Sequence, residues 1–171
     1  MKIAVIVGSD SDLPILKGCL KTLKEFGVPY EVAICSAHRT PDKAAEFSKN
    51  AEKNGFGVII AAAGKAAHLP GVIAAQTILP VIGIPVDSGS LGGLDALLSI
   101  VQMPSGVPVA SVSIDGAVNA ALLAVSILAL ADPALKEQLR DYKIKMAKKI
   151  DEKNAGLSAK LDDLLKPGTE S

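Results

Sequence analysis

The chain has 171 residues, and 18 Lys plus Arg balance 18 Asp plus Glu to a formal charge of zero. That length suits one domain whose core stands without disulfides. The absent basic excess, only 3% aromatic residues and no Trp argue against a general nucleic-acid binder, which needs cations for phosphates and rings for stacking.

The opening MKIAVIVGSD enters a strand at once, without a leader-like pattern, so export is not expected. Cys19 and Cys35 show no CxxC spacing and give neither a zinc pattern nor a disulfide framework, which fits a reducing, cytoplasmic home. Ile3–Val7 is the first expected strand. Further apolar runs at Val32–Cys35, Val58–Ala62, Val81–Val86 and Val109–Val112, bounded by Gly, Ser or Pro, supply four more, all read as buried. Between them, Leu13–Phe26 carries a helical pattern that stops at Gly27. Pro41–Asn54 carries another, with Thr40 as its N-cap and Gly55 as its stop. The alternation of strands and helices predicts an α/β fold: one doubly wound parallel sheet with helices on both faces. In such sheets ligands bind beyond the carboxyl ends of the strands, so the loops there are the place to look for chemistry.

The first of these loops is Gly8-Ser9-Asp10-Ser11-Asp12, leading into a helix. Free N–H groups at a helix start and the hydroxyls of Ser9 and Ser11 suit a phosphate, and Asp12 suits the two hydroxyls of a ribose. The same residues would also serve simply as helix caps. The loop is neither a P-loop nor a GxGxxG turn. The second loop, Ser36-Ala37-His38-Arg39-Thr40-Pro41, holds one of two arginines and one of two histidines. The fork of Arg39 suits a phosphate or carboxylate, the alternative being a surface ion pair. His38 is the candidate general acid or base, the alternative being an exposed cap residue. The third loop, Ala63-Gly64-Lys65-Ala66-Ala67-His68-Leu69-Pro70-Gly71, is made of small residues that let a ligand approach the backbone, and carries His68. Ser36 and Gly64 are counted with the substrate-binding candidates. The fourth, Asp87-Ser88-Gly89-Ser90-Leu91-Gly92-Gly93, is again rich in Gly and Ser. Four such loops on one rim point to a pocket for a small, phosphorylated ligand. Metal is not implied, since there is no HxxxH or HExxH and no carboxylate cluster, and no GxSxG elbow supports a serine hydrolase.

Charge is unevenly spread. Residues 66–131 carry only Asp87, Asp95 and Asp115, whereas residues 132–171 carry 9 of the 18 basic and 8 of the 18 acidic side chains. Val118–Ala131, apolar on nearly every face, is expected to pack against another subunit; the alternative is a central helix sealed under the charged tail. The run is too short for a membrane span of about 20 residues. The tail, Ala134–Leu165, is expected to be a long helix reaching over a neighbour. A single domain is thus expected over residues 1–165, with a helical extension from about 134 and a frayed tail at 166–171.

The segments GSDSD, SAHRTP, AAHLPG and SIVQMPSGVPVA, in this order and spacing, resemble the PurE family, N5-carboxyaminoimidazole ribonucleotide mutases of purine biosynthesis. The resemblance covers roughly Ile3 to Leu130. It implies a flavodoxin-like three-layer fold with five core strands, a homo-octamer whose active sites are shared between subunits, and a ribonucleotide substrate. It also implies no ATP, metal or organic cofactor. Carried over by motif, Ser9, Ser11 and Arg39 would hold the 5′-phosphate, Asp12 the ribose, and His38 would be the general acid/base, with His68 in support. The implied reaction moves a carboxyl group from the exocyclic nitrogen to ring carbon C4. Two other readings stay open: a carboxylase that uses CO2 directly, and a non-catalytic flavodoxin-like phosphate-binding module. One departure stands out, for Lys65 occupies a position where the family pattern has Gly. Its side chain either meets the substrate carboxylate or points to solvent, and a long cationic stem favours solvent.

Overall fold

A computed structural model describes residues 1–89 and 91–165; Ser90 and the tail expected to fray at 166–171 lie outside the described residues. Five parallel strands, β1 (Lys2–Val7), β2 (Tyr30–Ile34), β3 (Phe56–Gly64), β4 (Val81–Val86) and β5 (Ala110–Ser111), stand in the order β2-β1-β3-β4-β5. The helices are α1 (Lys17–Glu25), α2 (Pro41–Asn50), α3 (Leu69–Ala74), α4 (Leu94–Val101), α5 (Ala117–Leu128), α6 (Pro133–Ala155) and α7 (Leu157–Leu164). No helix of the described residues is long and apolar enough to cross a membrane.

β1, β3 and β4 are buried on both faces, which is why they read as unbroken apolar runs. Alternation along each strand splits the core in two. Ile3, Val5, Ile60 and Ile84 meet Cys19 and Leu23 of α1 and the alanine face of α5, while Ala4, Ile6, Ile59 and Ala61 meet Ala44 of α2, Ile73 of α3 and Ile100 of α4. This is the three-layer α/β/α arrangement. Pro85 sits in β4 at no cost to the ladder. Its carbonyl points to the β5 side and accepts from Asp115 N–H at 2.9 Å, beyond the two-residue pairing of Ile82 and Gly83 with β5, so no strand awaits its missing N–H.

Two expectations are corrected and two are refined. β2 is not buried: it is the sheet edge, with Val32 40% and Ile34 56% exposed, because nothing among the described residues covers its outer side. The helix expected over Leu13–Phe26 begins as a tight 3-10 stretch, Asp10–Leu16, containing Pro14, and turns α-helical only at Lys17. α5 packs one face inside the chain, against the sheet and α1, and keeps Val118, Asn119 and Ser126 exposed. Its residues Ala117, Ala120, Ala121, Ala124, Val125 and Leu128 are buried, and Val118 is seated 2.9 Å from where a β-carbon on Gly18 of α1 would lie. The expected long C-terminal helix is present as α6, and a second, short helix, α7, follows it after Gly156. Asp132 starts α6 by accepting from Ala134 and Leu135 N–H at 3.0 and 3.2 Å, with Pro133 at the first helical position. Leu135 is buried under α5's face and Tyr142 packs on Phe26, ring centroids 5.7 Å apart; beyond that, Ile144 and Ile150 are exposed.

Candidate functional site

The sheet order reverses between β1 and β3, whose following helices leave toward opposite faces, and a crevice opens where the loops part. A cavity of about 660 Å³ occupies it. β1's tip gives it Gly8, Ser9, Ser11 and Asp12; β2's gives Ser36, Ala37, His38 and Arg39. β3's tip gives Ala63, Gly64, Lys65 and Ala66, with Leu69 from α3, and β4's gives Val86, Asp87 and Ser88. Every residue singled out in the sequence except His68 lines this one cavity.

His68 is brought in by a hydrogen bond. Its Nδ1 lies 2.8 Å from Nε2 of His38, the rings meeting edge to face at 4.9 Å between centroids, so one proton is shared across the pair. The two histidines are 30 residues apart in sequence, and it is the placement of β2 and β3 on either side of β1 that lets their loops meet over its tip. Nδ1 of His38 makes no hydrogen bond among the described residues, which leaves it for a ligand.

The β2 loop is rigidified from within. Thr40 does not cap α2 with its side chain; instead its hydroxyl donates to the Ser36 carbonyl at 3.0 Å and accepts from Ser36 N–H at 3.1 Å. The Ser36 hydroxyl in turn accepts from Arg39 N–H at 3.2 Å and from its Nε at 3.4 Å. Nη2 of Arg39 donates to the Gly8 carbonyl at 2.9 Å, tying the tips of β1 and β2 together and holding the guanidinium beside the serine loop. In that loop Ser9 caps the 3-10 stretch, accepting from Ser11 N–H at 3.4 Å and from its hydroxyl at 3.0 Å. The capping and anion-binding readings therefore fall on the same atoms.

Burial pushes the Asp12 carboxyl above its ordinary 3.8; the Ser11 hydroxyl, which donates to it at 3.3 Å, lowers it, neighbouring Asp10 raises it further and Arg39 draws it down. Gly64 is confined by space: a β-carbon there would collide with the Ser88 side chain. Ser88 and Asp87, which sequence reasoning placed on the rim without giving them a role, thus form the wall facing β3's tip. Asp87 is held by its N–H donating to Asp115 Oδ1 at 3.0 Å, and its own Oδ1 accepts from Gly89 N–H at 2.8 Å. The DSG signal in the sequence was enough to find this turn, but Asp115, 28 residues on, carried none.

Residues 2–149 match the family model described as AIR carboxylase. An N5-carboxyaminoimidazole ribonucleotide mutase from Pyrococcus horikoshii is 60% identical over 151 residues, 88% of this chain and 85% of that protein. A phosphoribosylaminoimidazole carboxylase from Saccharomyces cerevisiae is 50% identical over 148 residues, 86% of this chain but 26% of that protein. The crystal structure of Treponema denticola PurE aligns with a TM-score of 0.83 at 31% identity, covering 91% of this chain and 97% of that one. A family model spanning the whole sheet and all four rim loops, with a relative 60% identical over 85% of its own length, establishes that the chain belongs to the AIR carboxylase family.

Proposed function

We propose that the chain converts N5-carboxyaminoimidazole ribonucleotide to 4-carboxy-5-aminoimidazole ribonucleotide in purine biosynthesis, as one α/β domain over residues 1–165. The observation that carries this reading is His38, hydrogen-bonded to His68, on the wall of a cavity that also holds a serine loop beside an arginine fork. Ser9, Ser11 and Arg39 take the 5′-phosphate, since hydroxyls and a guanidinium suit its oxygens. Asp12 accepts from the ribose hydroxyls, with Ser36 and Gly64 lining the approach.

The chemistry needs two proton transfers through one group. The N–C bond of the carbamate breaks, its electron pair returns to nitrogen, and His38, protonated, delivers a proton there as CO2 departs. Ring carbon C4 of the freed aminoimidazole then attacks the trapped CO2, forming the new C–C bond, and neutral His38 removes the proton that C4 carried. Atoms and charge balance without a co-reactant. His68 supports this by engaging Nε2 of His38, so that Nδ1 is the nitrogen turned to the substrate. Ala63, Ala66 and Leu69 supply small, apolar walls that disfavour water around CO2.

Mixing the purified protein with N5-carboxyaminoimidazole ribonucleotide and following ultraviolet absorbance tests the proposal directly; binding without turnover would leave a non-catalytic phosphate-binding module. The name of the yeast relative favours one second reading, direct carboxylation of aminoimidazole ribonucleotide by CO2. It is separated by asking whether bicarbonate and aminoimidazole ribonucleotide are turned over as fast as the carbamate.

A cytoplasmic homo-octamer is the assembly this reading carries. Its support now comes from Leu91, Leu94, Leu98 and Val101, which stand exposed at helical spacing along and just before α4, and from the bare edge of β2. Sedimentation as a large closed particle is expected, and a stable monomer would contradict it.

A further inference from the structure

We propose that Lys65 is a specificity-determining residue for the carboxylated nucleotide, its ammonium pairing with the carboxylate that the reaction moves. This rests on the reading of the site just given and deepens it.

Among the described residues, three that are not glycine hold a left-handed backbone: Lys65 at φ 54, Leu91 at φ 53 and Asp115 at φ 56. A β-carbon is disfavoured in that region and glycine is the natural occupant. Asp115 has a structural reason to be there, because its carboxylate accepts from the Asp87 backbone. Lys65 is the one of the three that lines the cavity. Its side chain makes no ion pair among the described residues, where the pairs formed are Lys2–Glu31, Lys21–Glu25 and Arg140–Glu137. A strained, unpaired cation on a cavity wall is unexplained by the fold, and strain of this kind concentrates where a side chain serves a ligand.

Position supplies the ligand's chemistry. Arg39 stands at β2's tip, committed to the Gly8 carbonyl and the Ser36 hydroxyl beside the serine loop. Lys65 stands at β3's tip, three residues before His68. With β1 between them, β2 and β3 are two strand spacings apart, roughly 10 Å. The cavity therefore carries a cation on each side of β1's tip, and the proposed substrate carries two anions, a phosphate at one end and a carboxyl group on its heterocycle. With the phosphate on Arg39, the heterocycle and its carboxylate fall on the side of the imidazole pair and Lys65. The decarboxylated nucleotide presents nothing for the ammonium to hold. Because Lys65 is exposed, the pair forms at the cavity mouth and is weakened by salt.

The test compares wild type with Lys65→Met, Lys65→Gly and Lys65→Arg. Met removes the charge and keeps the strain, Gly removes both, and Arg keeps both. The expected result is a rise of about tenfold in KM for the carboxylated nucleotide in the Met and Gly proteins, typical of losing one charged contact. Calorimetric affinity for decarboxylated aminoimidazole ribonucleotide should stay within about twofold, Arg should restore the KM, and the penalty of Met should shrink in high salt. Unchanged KM in the Met and Gly proteins, or equal losses for both nucleotides, would overturn the assignment of Lys65 while leaving the functional reading standing. A wild type that does not convert the carboxylated nucleotide would instead overturn that reading, and this assignment with it.

Discussion

The tips of β1 to β4 and the layer packed between the sheet and helices α1 and α5 are built from the same strands, yet they obey opposite rules. In the layer, Ile3, Val5, Ile60 and Ile84 are fully buried among alanines of α5, and each residue is chosen for size. At the tips, a carboxyl group is buried enough to hold its proton more tightly, a lysine takes a glycine's backbone and a glycine is wedged against Ser88. These features cost stability that the layer supplies. The difference teaches that this fold separates the two tasks along each strand: the interior half holds the protein together and the last residues do chemistry. Substitutions should therefore fall into two classes, and each of the following can break or sharpen that division.

The largest effect is expected at His38. His38→Asn should lower kcat roughly 10²–10⁴-fold, the usual worth of general acid–base catalysis, with nucleotide affinity and thermal midpoint retained because the ring is exposed. Retained turnover would remove His38 from proton transfer. In the layer the pattern should invert. Ile60→Ala, at a fully buried position, should cost about 2–5 kcal/mol in denaturant unfolding and leave kcat per folded molecule unchanged; a fall in kcat would merge the two classes.

Arg39→Lys removes the planar fork and should raise KM about tenfold, while an unchanged KM would put the phosphate elsewhere. On stability, Lys65→Gly relieves the left-handed backbone but frees the unfolded chain, so a net gain of no more than about 1 kcal/mol is expected. A loss would mean that the side chain contributes packing at the rim.

The smallest effect concerns Asp12, whose carboxyl is raised above its ordinary 3.8 mainly by burial. The folded state then binds its proton more tightly than the unfolded chain. At neutral pH both states are ionised and burial weakens the fold; as pH falls through the raised value toward 3.8, the native state protonates first and that cost disappears. Asp12→Asn should thus slightly raise the melting temperature at neutral pH, with the gain shrinking in acid, and it should weaken nucleotide binding. A lowered melting temperature would show that the attraction of Arg39 outweighs burial.

The sequence made the layer legible because parallel strands buried on both faces leave unbroken apolar runs: β1, β3 and β4 are found within two residues at each end. It misread β2, since Val32 and Ile34 look the same whether a strand is central or at an edge; position in the sheet is a property of the whole fold. For the apolar helix α5, composition hid that its alanines gather on one face, which the chain buries against the sheet and α1. The rim was legible as residue types at strand ends. Its internal wiring was not: Thr40 turns back on Ser36 where a helix cap was the simpler reading, and Asp115 holding Asp87 and the imidazole pair join residues 28 and 30 apart, spacings that carry no period.

The central claim is that one nucleotide spans the rim with its phosphate on Ser9, Ser11 and Arg39 and its heterocycle against the free nitrogen of His38. A crystal structure of the His38→Asn protein soaked with N5-carboxyaminoimidazole ribonucleotide measures this most directly. The account predicts phosphate oxygens within hydrogen-bond distance of the serine hydroxyls and the guanidinium, with the imidazole ring of the substrate over residue 38. Phosphate bound at another loop, or a base directed away from that position, would contradict it.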